Sequence, residues 1–98
     1  MQVEGTLERD AVSRALSGRL TALVACTEQH PSSEGGRLKG AFRIDREGLM
    51  HGLRVEAPEL PEGFVGCVVQ ALQGTRFRRS EGTTHVSDLL IIFQRHTD

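Results

Sequence analysis

The sequence predicts an α+β domain: a small antiparallel sheet of about three to four strands, in βαββαβ order, with two helices packed on one face. Three observations carry this expectation. Two stretches space their apolar residues three or four apart, as one face of a helix does. Between them lies a segment in which apolar and charged residues alternate on both sides of a turn. The chain then closes on Val86-Ser87-Asp88-Leu89-Leu90-Ile91-Ile92-Phe93, its longest nearly unbroken apolar run, which has the length of a strand. Ninety-eight residues form one domain with a modest core and leave no room for a second.

In chain order, Val3 to Leu7 reads as a short strand or an extended lead-in. From Glu8 the period becomes helical. Val12, Leu16, Leu20, Leu23, Val24 and Thr27 form a stripe, and Arg9, Arg14, Arg19 and Glu28 take other sides. Glu8 and Asp10 suit the positive end of the helix dipole. Gly18 costs about 1 kcal/mol inside a helix, which suggests close packing at that point. Pro31 ends the helix, because it lacks a donor and restricts His30 before it. Ser32-Ser33-Glu34-Gly35-Gly36 follows as a surface loop.

A hairpin is the clearest local signal. Leu38, Gly40, Phe42 and Ile44 alternate with Arg37, Lys39, Ala41 and Arg43, which predicts one buried face and one mostly basic face. Asp45-Arg46-Glu47-Gly48 supplies the turn. On the return strand Met50 is out of phase with Leu53 and Val55, and a bulge near His51-Gly52, which Gly52 permits, reconciles them. Pro61 and Glu62 open the second helix, whose stripe is Phe64, Val65, Val68, Ala71 and Leu72, and Gly74 ends it. Phe77 anchors the exit. Arg78 to Thr84 reads as a mobile polar connection, and Arg95 to Asp98 as a frayed tail.

The final strand does not alternate cleanly. Leu89, Ile91 and Phe93 point one way and Val86, Leu90 and Ile92 the other, so both faces are apolar. Such a strand lies central in a sheet covered on both sides, or it offers an apolar face to a partner.

Composition narrows the functional classes. The chain is 38% hydrophobic and 26% charged, and its net charge of −1 argues against a dedicated nucleic-acid binder. The βαββαβ order also occurs in RNA-binding sheets, but here the hairpin offers only Phe42, on the buried face. With no Trp or Tyr and four Phe, an aromatic ligand pocket is disfavoured. No run reaches the ~20 apolar residues of a membrane-spanning helix, and Met1-Gln2-Val3-Glu4 lacks signal-peptide features. His30, His51, His85 and His96 are dispersed, so no metal site is expected. No glycine motif cradles a phosphate, and no cofactor is implied. Cys26 and Cys67 sit at apolar helical positions, as one disulfide or as two packed thiols. A Cys–His nucleophile is the weaker reading, and no catalytic residue is assigned.

Taken together, the residues resemble the C-terminal domain of the AgmX/PglI family, itself similar to the TonB C-terminal domain. The resemblance covers residues 5–93. It rests on an amphipathic helix ending near Cys26, Gly36-Arg37-Leu38, and Phe42-Arg43-Ile44-Asp45 followed by Gly48 and Met50. Leu53 and Val55, Cys67-Val68-Val69-Gln70-Ala71-Leu72, and Arg76-Phe77 complete it. The chain departs from the family pattern at Thr27, where a Tyr is usual, at Thr75 (Trp) and at Arg78 (Pro). Pro31 also shortens the first helix.

The resemblance implies a TonB-like domain at the C-terminal end of a longer, envelope-spanning protein. That protein would be tethered to the inner membrane by a segment outside this chain and reach across the periplasm. The implied function is non-enzymatic: an adaptor that binds an extended peptide of an outer-membrane or envelope partner by strand addition and transmits force or signal, as in gliding-motility or transport machinery. The docking strand would be Val86, Ser87, Asp88, Leu89, Leu90, Ile91, Ile92 and Phe93. An oxidising periplasm would favour a Cys26–Cys67 bridge. The competing expectation is a homodimerisation module in which Leu90, Ile92, Met50 and Ala41 meet a second copy.

Overall fold

The computed structural model describes residues 1–29 and 35–94, with the side chain of Gln94 excepted. The expectations at His30, Pro31, the 32–34 loop, the 95–98 tail and His96 lie outside the described residues. The architecture is α+β, with strands β1 (Gln2–Glu4), β2 (Gly35–Ile44), β3 (Met50–Glu56) and β4 (Thr84–Gln94). The helices are α1 (Arg9–Ser17), α2 (Leu20–Gln29) and α3 (Glu62–Gln73). The sheet has the order β1-β4-β2-β3, and every pairing is antiparallel.

The first helical stretch is two helices, not one. Gly18 leaves the helix with its amide shared between the Arg14 and Ala15 carbonyls, and Arg19 donates to Leu16 at 2.9 Å before α2 begins. Glycine's low helix propensity makes the break cheap at this position. The break also places Arg19 where its Nε donates to the Ala71 carbonyl at 2.8 Å, in the last turn of α3. A cation there satisfies a carbonyl without an intrahelical partner and suits the negative end of the helix dipole. The expected stripe splits accordingly. Val12, Leu23 and Cys26 are buried, while Leu20 and Val24 are 58% and 53% exposed.

All three helices cover one face of the sheet. Val12 of α1 packs with Leu7, Phe42, Ile44, Phe77, Val86 and Leu89. A second cluster joins Leu23 and Cys26 of α2, Phe64, Val68, Ala71 and Leu72 of α3, and Leu38 of β2. Leu16, Met50, Leu53 and Ile91 touch both clusters and make the core continuous. Each fully buried side chain among them, such as Phe64 or Val68, contributes about 1.5–3 kcal/mol of burial free energy. The Phe64 and Phe93 rings meet edge to face at 4.8 Å. A disulfide joins Cys26 to Cys67, with Cα atoms 5.8 Å apart, and ties α2 to α3.

Two bulges flank β2 at the same level. On β3, Gly52 and Leu53 oppose the single residue Phe42, with Gly52 at φ 63°, as the phase of Met50 requires. On β4, Ser87 and Asp88 oppose the single residue Ala41, with Asp88 at φ 54°. The second bulge was not legible in the alternation, and it corrects the facing of Val86. With one extra residue, Val86 and Leu89 both turn toward the helices, at 2% and 8% exposure.

The turn and the exit loop are braced together. Asp45 accepts the Glu47 and Leu49 amides, each at 2.9 Å, and its carboxylate meets His51 Nε2 at 2.6 Å. Phe77 donates its amide to the Gly48 carbonyl, and Ser80 donates to Arg46. Arg46 Nε donates to the Glu81 carbonyl, and Thr6 Oγ1 donates to Ser80 Oγ. The segment expected to be mobile is therefore pinned to the turn and to the N-terminal lead-in.

Candidate functional site

β4 is central in the strand order, but β1 covers only part of it. Its three residues pair Gln2 with Ser87, Val3 with Val86 and Glu4 with His85. On the other side β2 accompanies β4 along its whole length, from Ile44–Thr84 to Gly35–Gln94. Among the described residues, no strand pairs with β4 on the β1 side over residues 88–93. That half of β4 is an open edge with unpaired backbone donors and acceptors.

Apolar side chains line both sides of this edge. Toward the helices, Leu16, Leu20, Leu23 and Leu72 form a groove of about 270 Å³ against residues 89–92 of β4. The groove lies beside the break at Gly18, and Leu20, the first residue of α2, stays exposed along it. On the helix-free face, Leu90 and Ile92 are 48% and 57% exposed. With Leu20 and Val24, they are the large apolar side chains exposed among the described residues, and Leu20, Leu90 and Ile92 border the same edge.

The eight residues expected to dock a partner thus divide. Val86 is buried in the core, and Ser87 is paired with β1. Asp88 occupies the bulge where β1 stops. Leu89, Ile91 and Phe93 face the helices, and Leu90 and Ile92 face outward, so residues 89–93 carry the accessible edge. Sequence reasoning missed the contribution of Leu16 and Leu20. Both lay on the expected apolar stripe, and nothing local showed that Leu20 would stay uncovered.

The helix-free face carries four cations among the described residues. Arg37 lies across from Ile92 and Lys39 across from Leu90, while Arg43 and Arg54 stand farther from the edge. Among the described residues, none of these four cations has a carboxylate within 4 Å. Of the four residues expected at a dimer contact, Leu90, Ile92 and Ala41 belong to this face. Met50 does not: the Gly52 bulge turns it into the core.

The chemistry elsewhere is sparse. No group of three His, Cys, Asp or Glu side chains among the described residues is placed to hold a metal ion. The disulfide occupies both sulfurs, the atoms a cysteine nucleophile would need. The Asp45 carboxyl is held below its ordinary value of 3.8, first by the Leu49 amide and then by the His51 hydrogen bond, a structural arrangement at a turn. Among the described residues no helix is long and apolar enough to cross a membrane. Compared with family models, curated proteins and solved structures, the chain matches none of them.

Proposed function

We propose that this domain is a non-enzymatic adaptor that takes an extended peptide of an outer-membrane or envelope protein as an added strand along residues 89–93 of β4. The observation that carries the reading is the open half of β4, bordered by Leu20 on one side and by Leu90 and Ile92 on the other. Unpaired backbone groups give affinity to any extended chain, and the flanking apolar side chains give selectivity for what that chain carries. The resemblance to the AgmX/PglI C-terminal domain supports an envelope setting. In that setting the chain is the periplasmic end of a protein tethered to the inner membrane, passing force or signal as gliding-motility or transport machinery does. The Cys26–Cys67 bridge fits an oxidising compartment.

Titration of the ¹⁵N-labelled domain with N-terminal peptides of candidate outer-membrane partners tests this. Shifts are expected at residues 89–93 and at Leu16 and Leu20; shifts clustered on β3 or α3 would exclude the β4 edge. A second reading, homodimerisation through the same strand, is favoured by the exposure of Leu90 and Ile92. Sedimentation across a concentration series decides it, since a domain still monomeric at high concentration has no such interface.

A further inference from the structure

The two walls of the open β4 edge differ in chemistry, and the difference specifies the added strand. We propose that the occupant alternates branched aliphatic residues with glutamates. This rests on the strand-addition reading above and adds the side-chain chemistry of the peptide. Side chains of an added strand point alternately to the two faces of the sheet. Those turned toward the helices enter the groove of Leu16, Leu20 and Leu23, which offers hydrocarbon to fill and no charged side chain along its lining. Valine or isoleucine fits both that surface and an extended backbone.

The alternate side chains lie on the helix-free face, beside Leu90 and Ile92. One strand farther, about 10 Å from the added backbone, are Lys39 and Arg37, directly across β4 from those two residues. Glutamate matches this arrangement. Its methylene stem covers the exposed leucine or isoleucine, and its carboxylate extends toward the cation on the strand behind, whose long flexible stem allows the two charges to approach. Arg37, Lys39, Arg43 and Arg54 have no carboxylate within 4 Å among the described residues. Among the described residues, the acids on this face are Glu56, across from Lys39, Glu4, at the end that β1 already covers, and the exposed Asp88, in the bulge at the near end of the open edge. Arg37 and Lys39 therefore stand behind the Leu90–Ile92 part of the open edge, and the acid that borders the edge, Asp88, lies at its other end. A lysine-bearing strand would meet like charge there, which is how a sheet edge excludes wrong partners.

The test uses the oxidised domain and three capped octapeptides, in which valine alternates with glutamate, serine or lysine. Binding is followed by ¹⁵N–¹H shifts. The glutamate peptide is expected to perturb residues 89–93 and to bind about tenfold more tightly than the lysine peptide, the size produced by exchanging two exposed attractions for two repulsions. The gap should shrink in 0.5 M salt. In the Arg37→Glu/Lys39→Glu variant, with folding checked by circular dichroism, the order of the two charged peptides should reverse. Equal binding of all three peptides at residues 89–93 would overturn the acidic preference and leave strand addition standing. Absence of shifts at residues 89–93 with every peptide would overturn strand addition itself, and the preference with it. Shifts that depend on protein concentration alone would give the edge to a second copy and overturn the proposal.

Discussion

The bulge at Ser87–Asp88 makes a sharp prediction, because it determines which way every later residue of β4 faces. Thr84, Val86, Leu89, Ile91 and Phe93 all turn toward the helices, an order with one residue too many between Val86 and Leu89. Removing Asp88 leaves a regular alternation with the same five residues inward. The deletion also removes a non-glycine residue at φ 54°, a conformation that costs about 1–2 kcal/mol. It loses the local twist that the bulge supplies. The deletion protein should therefore fold and stay within about 1 kcal/mol of the parent, the difference of these two opposing effects. Removing Leu90, two residues on, has the opposite consequence. Ile91 and Phe93 move to the helix-free face, Ile92 takes the inward place of Ile91, and the Phe64–Phe93 ring contact is lost. The net loss is the inward Phe93, about 2 kcal/mol, a substantial part of the ~5–15 kcal/mol of a domain. Urea denaturation compares the two deletions. Equal destabilisation by both, or an unfolded Asp88 deletion, would refute the register on which the open edge depends.

Reducing the Cys26–Cys67 bridge, or replacing both cysteines by serine, frees a loop of about 40 residues and should cost about 4 kcal/mol, read as a lower melting temperature in reductant. Gly48→Ala places a Cβ into the Phe77 carbonyl at a residue with φ 88°, and a loss of about 2 kcal/mol is expected in chemical denaturation. Asp45 has a pKa lowered on folding, so its contribution is fully present above the unfolded value and is lost as the pH falls through the folded one. The stability gap between the parent and Asp45→Asn should therefore be constant above about pH 5 and narrow below about pH 4, as urea midpoints across that range would report.

Much of the fold was legible because its signals are local. The alternation of Leu38, Gly40, Phe42 and Ile44 placed β2 and its buried face, and the Asp45–Gly48 turn set the hairpin. Gly52 announced its bulge because Met50 was out of phase and a glycine stood ready to absorb the shift. Pro61 and Gly74 bounded α3 where the structure has its caps. Position and spacing left a bridge and packed thiols both open for the two cysteines, the resemblance favoured the bridge, and the structure has it, with α2 packed on α3.

Other features depended on contacts distant in sequence. The continuous apolar stripe on either side of Gly18 read as one helix. The break follows from where Arg19 finds the end of α3, more than fifty residues away along the chain. The Asp88 bulge carried no glycine and left the local apolar pattern looking two-faced, since its evidence is the register against β2.

The sequence by itself determined that residues 86–93 form an apolar strand in a small α+β sheet, because period and composition are properties of neighbouring residues. Tertiary structure decided which half of that strand is exposed. That depends on how far β1 runs beside it, which is a matter of pairing between elements far apart in the chain.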